Sequence, residues 1–250
     1  MKPNTLTQRA AQGGPRTLVI GDLHLSPGRP DITQAFTRFL DEELDGADAL
    51  YIVGDLFEAW IGDDDVTPFS DQIAERLRRA STKLPIYFCH GNRDFLIGPR
   101  FARRCGMTLL PEPEVLELYG ETTVILHGDS LCTEDREYQK FRRLRNRPWF
   151  RMMLLSLPLA MRRALARRAR AKSRMHTQQK DERIMDVTPK AVDALMATHH
   201  ASRLIHGHTH RPAIHPLPHQ RHRLVVGDWY HQDSVLVITP GHAELTSRAF

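Results

Sequence analysis

Seven side chains that can bind a metal ion occur in five short motifs, each directly after an apolar run. They are Asp22, His24, Asp55, Asn92, His127, His208 and His210. Seven oxygen and nitrogen donors exceed what one ion with open positions can use, and they suit two ions that share a carboxylate. Carboxylate, amide and imidazole donors without a thiolate favour manganese, iron or zinc over a magnesium site with oxygen ligands alone. The pattern therefore predicts a two-metal hydrolytic site.

The apolar runs before these motifs are typical of buried β-strands. They cover residues 17–20, 50–53, 85–89, 123–126, 204–205 and 224–226. Apolar spacings of three and four residues predict helices over roughly 32–44 and 69–80. Alternating strands and helices predict an α/β fold, and the later strands suggest a second, mixed sheet. Because sites in open α/β sheets form at the carboxyl ends of strands, we expect the seven donors to converge there.

Residues 133–200 interrupt this alternation. No strand pattern occurs there, and Pro148, Pro158 and Pro189 separate several helical stretches. The region lies between two strand-end motifs, so we interpret it as a helical insertion within a single domain that spans residues 1–250.

Charge is distributed unevenly along the chain. The 250 residues carry a formal charge of +5, with 41% apolar and 26% charged residues, which is typical of a soluble globular protein and excludes a disordered, collagenous or many-spanning membrane protein. Residues 136–183 hold sixteen basic and three acidic residues, a local charge of +13, whereas the rest of the chain carries −8. A basic insert on an acidic body suggests an anionic partner for the insert.

Cysteine usage and the apolar stretches indicate the compartment. Three cysteines without a CxxC pair are consistent with reduced thiols in a cytosolic protein. Residues 1–14 contain no apolar segment, so we expect no secretory signal. The longest apolar stretch, residues 152–161, is too short to cross a bilayer.

The five motifs resemble those of the calcineurin-like metallophosphoesterases: Asp-x-His, Gly-Asp-x-x-Glu, Gly-Asn-x-Asp, His-Gly and Gly-His-x-His. The resemblance covers about residues 16–240 and implies a sandwich of two mixed β-sheets flanked by helices, with the helical insertion as a lid. It also implies a division of the ligands between two ions. One ion takes Asp22, His24 and His210, the other takes Asn92, His127 and His208, and Asp55 bridges them.

A more specific resemblance depends on the third motif, where Arg93 follows Asn92 in place of the histidine that is usual in the superfamily. Together with segments 127–133, 184–187 and 205–212 it resembles the UDP-2,3-diacylglucosamine pyrophosphohydrolases. That family implies hydrolysis of UDP-2,3-diacylglucosamine to UMP and 2,3-diacylglucosamine 1-phosphate in lipid A biosynthesis of Gram-negative bacteria. It implies two Mn²⁺ ions that activate a water for attack on the α-phosphorus. It also implies a cytoplasmic protein that is peripheral on the inner membrane.

Arg93 suits this chemistry, because a guanidinium can donate two hydrogen bonds to pyrophosphate oxygens and stabilise developing charge. Its pKa is too high for a general acid. A sugar phosphate leaves without prior protonation more readily than an alkoxide, so a proton donor is dispensable here. The alternative is that Arg93 forms only a surface salt bridge. The residues predicted to be catalytic are Asp55, Asn92, Arg93 and His127.

The resemblance further implies a set of substrate contacts. They are Asn92, Arg93, Asp135, Ser173, Thr177, Lys180 and His208. The family pattern has asparagine at position 177. Threonine lacks the second amide donor, so the contact at this position is an open question.

Several other polar residues have a structural interpretation. We expect His206 and His90 to be structural, Asp94 to orient its neighbours, and residues 63–65 to form a solvated acidic turn.

The insert combines apolar residues with arginines, as membrane-surface elements do. We expect it to cover a cleft for acyl chains and to meet anionic lipid at the cytoplasmic face of the inner membrane. The alternative is an apolar stripe that packs on the core, with the arginines in solvent. Nucleic acid is not expected as a partner, because stacking aromatic residues are few. A general phosphodiesterase or nuclease on the same site, and a binding scaffold, are the competing functions. The sequence does not define an oligomeric state.

Overall fold

The computed structural model describes residues 14–179, 186–230 and 232–249, without the side chains of residues 172, 174–179 and 249. Its strands are β1 Thr17–Ile20, β2 Ala49–Val53, β3 Ile86–Cys89, β4 Met107–Leu109, β5 Glu114–Leu118, β6 Glu121–Ile125, β7 Arg203–His206, β8 Ala213–Leu217, β9 Arg221–Val225, β10 Gln232–Thr239 and β11 His242–Ala249. One sheet has the order β11-β10-β1-β2-β3-β4 and the other β5-β6-β7-β9-β8. Both contain parallel and antiparallel pairs, so both are mixed.

The helices of the described residues are α1 Pro30–Glu42, α2 Pro68–Ala80, α3 Pro99–Cys105, α4 Arg136–Arg145, α5 Pro148–Ser156, α6 Leu159–Gln179 and α7 Pro189–Thr198. Five of them begin at a proline, whose fixed φ suits the first helical position and whose missing N–H costs nothing there. Within the ranges described, no helix is both long enough and apolar enough to span a membrane.

The layers follow from the buried faces of the elements. Ile32 and Phe36 of α1 pack with α2 on the outer face of the first sheet. A second core lies between the sheets, where Val53 packs in the same cluster as Ile125. Met196 of α7 belongs to a third cluster on the outer face of the second sheet. The prediction of an α/β sandwich of two mixed sheets flanked by helices is confirmed.

The parallel strands place the predicted donors at one edge of the sandwich. Strands β1, β2 and β3 are parallel neighbours, as are β6, β7 and β9. Their carboxyl ends meet where the two sheets adjoin, since His208 N donates a hydrogen bond to Asp22 Oδ2 at 2.7 Å and His127 Nδ1 lies 2.8 Å from the Val53 carbonyl. Loops after six strands therefore surround a single region.

The insertion contributes helices α4 to α7, which lie between β6 and β7. Residues 133–179 and 186–200, the parts of the predicted insertion that the structure describes, contain no strand. The boundaries 133–200 and the lid role of this region stay predictions.

Residues 63–64 form the predicted turn and Asp64 is exposed, but all three carboxylates of residues 63–65 have defined partners. Asp63 accepts hydrogen bonds from Gly98 N and Phe101 N, both at 2.9 Å, at the start of α3. Asp64 pairs with Arg162 and Asp65 with Arg163. The turn therefore connects the body of the protein to helix α6.

Arg162 also departs from the expectation that the arginines of the insert face lipid. It is 5% exposed and donates to the Ile61 carbonyl at 2.8 Å in addition to its pair with Asp64. A buried guanidinium with these partners holds the insert against the body and is unavailable to a membrane surface.

Candidate dimetal centre

Asp22, His24 and His210 form one half of the site. The Nε2 atoms of the two histidines are 3.3 Å apart, and His210 Nε2 lies 3.5 Å from Asp22 Oδ1. Asp22 and His24 are almost completely buried, and the side chain of His210 is 27% exposed. Three donor atoms thus converge on a point that is accessible from one side.

Asn92, His127 and His208 form the other half. His127 Nε2 lies 3.0 Å from Asn92 Oδ1 and 3.2 Å from His208 Nδ1, and His208 Nδ1 lies 3.1 Å from the same Asn92 oxygen. One amide oxygen and two imidazole nitrogens from three loops therefore meet closely.

Asp55 lies between the two halves. Its Oδ2 is 3.8 Å from His24 Nδ1, and its Oδ1 is 3.9 Å from His127 Nε2. One oxygen faces each half, which is the arrangement that a carboxylate shared by two ions needs.

Backbone strain is concentrated in these loops. Five of the seven candidate ligands adopt φ between 52° and 69°, in the left-handed region. They are Asp22, His24, Asp55, His208 and His210. This conformation costs a residue other than glycine about 1–2 kcal/mol, and such strain is typical of functional sites. The fold holds these side chains in place against a local energetic preference.

Hydrogen bonds connect the loops to one another. Asp94 is buried and accepts from Leu56 N at 2.7 Å and from Gly91 N at 2.8 Å, which fixes the second loop against the third. This is the orienting role expected of Asp94. His208 N donates to Asp22 Oδ2 at 2.7 Å and so joins the two halves of the site.

Two histidines of the site hold their protons tightly. Burial alone would lower the pKa of His127, but the carboxylates of Asp55 and Asp22 outweigh it and raise that pKa to about 9. Burial opposes protonation of His210 as well, but Asp22 and Asp228 raise its pKa to about 10. Each imidazole takes up a proton where the carboxylates concentrate negative charge.

The pKa values of three other groups at the site, His24, His208 and Asp22, are lowered. Burial lowers the pKa of His24 to about 3, and burial with the nearby charge of His127 lowers that of His208 to about 4. Burial would raise the pKa of Asp22, but the neighbouring imidazoles outweigh it and hold that pKa below its ordinary value. The ionised carboxylate of Asp22 and the neutral imidazoles of His24 and His208 are in the form that binds a divalent cation. His127 and His210, by contrast, must first lose a proton.

Two buried atoms of the candidate metal ligands lack a hydrogen bond within the part of the chain that the structure describes: Asp22 Oδ1 and His24 Nδ1. Buried polar atoms are normally hydrogen-bonded, so an unpaired carboxylate oxygen needs an explanation. Potential ligand atoms of Asp22, His24 and His210, and separately of Asp22, Asp55 and His127, lie within 4.8 Å of one another. The residues fit a pair of divalent cations.

A cavity of about 900 Å³ adjoins the site. Site-side residues line one wall and helix α6 lines the other. On the site side these are His24, Glu58, Arg93 and Tyr230, and on the helix Arg163, Ala166, Arg167, Arg170 and Ser173. The candidate ligand His24 therefore borders a space large enough for a sugar nucleotide between the body and the insert.

Comparisons with known proteins identify the family of this chain. The family model described as calcineurin-like phosphoesterase matches residues 15–212. The chain belongs to this family. Relatives named UDP-2,3-diacylglucosamine hydrolase, from Shewanella pealeana and Shewanella baltica, are 56% and 57% identical over 94% of this chain and cover 99% and 98% of their own lengths. A solved structure described as a novel archaeal phosphodiesterase covers 94% of this chain and 99% of its own, with a TM-score of 0.48 and 12% identity.

The calcineurin-like family implies a dimetal site, and the structure brings all seven predicted ligands together. Their assignment to individual ions stays a prediction. His206 and His90 lie where structural residues are expected. His206 is completely buried with Nδ1 2.8 Å from the Gly207 carbonyl, and His90 Nε2 lies 2.7 Å from the Ile97 carbonyl.

The predicted substrate contacts divide into four groups. Asn92 and His208 belong to the donor cluster and are not among the residues that line the cavity. Arg93 and Ser173 line the cavity, on opposite walls. Asp135 is not among the residues that line the cavity. It precedes α4, where its side chain accepts a hydrogen bond from Tyr138 N at 3.1 Å. The side chain of Thr177 and the whole of Lys180 lie outside the described residues.

Three residues at the site were not predicted from the sequence. Glu58 pairs with Arg93, Asp228 pairs with His210, and the Tyr230 ring stacks on His24. Asp228 did carry a signal, because it follows a glycine at the end of an apolar run, as Asp22 and Asp55 do.

Proposed function

We propose that this chain hydrolyses the pyrophosphate bond of UDP-2,3-diacylglucosamine in lipid A biosynthesis and releases UMP and 2,3-diacylglucosamine 1-phosphate. The observation that carries the proposal is the relationship to hydrolases named for that substrate, at 56–57% identity over 94% of the chain. The donor cluster beside a large cavity supports it, since this reaction needs a hydrolytic centre and room for a lipid-linked nucleotide.

We assign two Mn²⁺ ions to the donor cluster. Asp22, His24 and His210 would hold one ion, and Asn92, His127 and His208 the other. Asp55 would bridge them. Mixed oxygen and imidazole donors without a thiolate suit Mn²⁺. When bound, such ions make hydroxide available near neutral pH and polarise phosphoryl oxygens.

Arg93 is the protein side chain that would place a positive charge next to the pyrophosphate. Its Nη1 pairs with Glu58 and lies 3.3 Å from the Tyr230 hydroxyl, and its Nε lies 3.4 Å from Asp55 Oδ2. The guanidinium is thus fixed at the cavity wall beside the bridging carboxylate. There it stabilises charge that develops on the pyrophosphate as water attacks the α-phosphorus.

Other contacts from the chain orient the substrate and the ligands. Asn92 and His208, whose Oδ1 and Nδ1 atoms lie 3.1 Å apart, are proposed substrate contacts within the donor cluster, and Ser173 is proposed to contact the substrate from the opposite wall of the cavity. His127 donates from Nδ1 to the Val53 carbonyl at 2.8 Å, so Nε2, which faces Asn92 Oδ1 and His208 Nδ1, is the nitrogen that would bind a metal ion. Asp135, Thr177 and Lys180 stay substrate contacts proposed from the family resemblance alone.

The helical insert carries the proposed membrane contact. Helix α5 contains no buried residue, and Leu154 is the apolar residue of this helix that packs, partly buried, against the core. Trp149 is 58% exposed, Met152 is 70% exposed, and Met161 of α6 is 52% exposed. Exposed apolar side chains among arginines suit the cytoplasmic face of an anionic inner membrane, on which the protein would be peripheral.

Membrane attachment predicts a defined loss of vesicle binding. We expect Trp149→Ser and Met152→Ser each to weaken co-sedimentation with phosphatidylglycerol vesicles by roughly tenfold or more, because each variant removes an apolar anchor. Val66→Ser, at an exposed valine outside the insert, is the matched control. Equal vesicle binding by all variants would show that the insert is not a membrane anchor.

Metal binding is expected to release protons. With pKa values of about 9 and 10, His127 and His210 are cationic at pH 7 in the metal-free protein. Coordination requires neutral imidazoles, so Mn²⁺ affinity should rise with pH until those pKa values are passed. Calorimetry at pH 7 in two buffers with different ionisation enthalpies measures the release. An apparent binding enthalpy that is identical in both buffers would contradict it.

The proposed substrate is tested by competition between substrate classes. We expect Mn²⁺-loaded protein to release UMP from UDP-2,3-diacylglucosamine far faster than it cleaves bis-p-nitrophenyl phosphate or single-stranded DNA. Faster turnover of either simple diester or nucleic acid would favour a general phosphodiesterase or nuclease. A protein that contains no metal by elemental analysis would favour a binding scaffold.

A further inference from the structure

Residues 228–230 contact each candidate ligand of one half-site in turn. Asp228 Oδ2 lies 2.9 Å from His210 Nδ1. Trp229 N donates to the Asp22 carbonyl at 3.2 Å. The Tyr230 ring stacks on His24 with centroids 5.1 Å apart and planes at 20°. Three consecutive residues thus support Asp22, His24 and His210.

The segment is anchored firmly to the body of the protein. Trp229 is completely buried, and its ring packs edge-on against Phe36 and Phe39 of α1 at 6.2 and 5.8 Å. Its Nε1 donates to the Ser234 carbonyl at 3.2 Å. Because Trp229 fixes this segment to the core, residues 228 and 230 can hold the neighbouring ligands in a defined position.

The contact between Asp228 and His210 determines which imidazole nitrogen is free. His210 Nε2 faces Asp22 and His24, at 3.5 and 3.3 Å. Nδ1 points the other way, to Asp228, whose second oxygen accepts a hydrogen bond from Tyr230 N at 3.3 Å. An imidazole that donates from Nδ1 to a carboxylate keeps a lone pair on Nε2 and becomes a stronger ligand.

We propose that Asp228 is a positioning residue for one metal ion: it orients His210 for coordination through Nε2 and sets the affinity of the half-site with Asp22 and His24. The inference rests on the metal site of the proposed function and not on its substrate. The half-site with Asn92, His127 and His208 receives no hydrogen bond from Asp228 in the contacts described for this side chain, so its affinity should be independent of this carboxylate.

Mn²⁺ titration of the full chain, followed by electron paramagnetic resonance, tests the proposal. Wild-type protein should bind two ions. Asp228→Ala should bind one ion as tightly as the wild type and the other about 10- to 100-fold more weakly, the usual effect of removing a carboxylate that supports a ligating histidine. Asp228→Asn keeps an acceptor oxygen without the charge, so its affinity for the weakened ion should lie between those of the wild type and Asp228→Ala. Saturating Mn²⁺ should restore kcat in both variants and leave KM for the lipid unchanged.

Asp193→Ala is the matched control, because Asp193 is an exposed carboxylate paired with Arg221 at 3.1 Å, away from the site. Two ions bound to Asp228→Ala with wild-type affinity would overturn the proposal, and so would equal weakening of both ions. If Asp228→Ala does not fold, the same criteria apply to Asp228→Asn. Absence of UMP release by wild-type protein with a normal titration would overturn the proposed substrate and leave this inference standing.

Discussion

Replacing Asp55 with asparagine is expected to lower the rate of UMP release by at least about a thousandfold. Loss of a carboxylate that merely supports a ligand costs about 10- to 100-fold, and a ligand shared by two ions should cost more. Asp55 places one oxygen 3.8 Å from His24 Nδ1 and the other 3.9 Å from His127 Nε2. Asparagine keeps the shape but provides neither the charge nor a second oxygen.

Metal content and folding of Asp55→Asn are measured together with its rate of UMP release. Elemental analysis should find less metal in Asp55→Asn than in the wild type, while circular dichroism stays unchanged. Asp48→Asn is the control, since Asp48 is an exposed carboxylate that accepts a hydrogen bond from the Tyr119 hydroxyl at 2.6 Å. An Asp55→Asn variant that keeps more than about a tenth of the wild-type rate would contradict a bridging role, because a shared ligand should cost more than that.

Replacing Arg93 with alanine is expected to lower kcat by about 10²- to 10³-fold, the usual cost of removing one preorganised donor to a developing negative charge. Metal content should not change, because Arg93 donates no ligand atom. Arg93→Lys should be intermediate, since lysine keeps the charge but not the planar pair of donors. Steady-state kinetics of UMP release measure both variants.

The partition between kcat and KM separates this role from a structural one. Arg93 is 19% exposed and pairs with Glu58, so the alternative is a salt bridge that only stabilises the loop. Glu58→Gln removes that pair and leaves the guanidinium in place. If Arg93→Ala and Glu58→Gln lower the melting temperature equally and leave kcat intact, Arg93 has no catalytic role.

The sequence predicted the strands that carry the ligands because short apolar runs followed by glycine and a polar residue are a local signal. Strands β10 and β11 were not predicted, although Val235 and Val237 of β10 are buried. Strand β10 pairs with β1 across most of the chain length, from Thr17 to Ile238. Such pairing depends on tertiary packing, and no nearby motif indicates it.

The ligand set was predictable for the same reason, whereas the contacts around it were not. Residue types and spacing identify potential ligands, but they do not reveal a φ of 55° at His210 or its contact with Asp228. The sequence pattern placed Arg162 among the arginines expected to meet anionic lipid. Its partner Asp64 is 98 residues away in sequence, and only the fold brings the two together.

Hydrolysis of UDP-2,3-diacylglucosamine in ¹⁸O-labelled water tests the central claim most directly. Attack of water on the α-phosphorus should place the label in UMP and leave 2,3-diacylglucosamine 1-phosphate unlabelled, as mass spectrometry of both products would show. Label in the lipid product, or no turnover of this substrate by Mn²⁺-loaded protein, would contradict the proposed reaction.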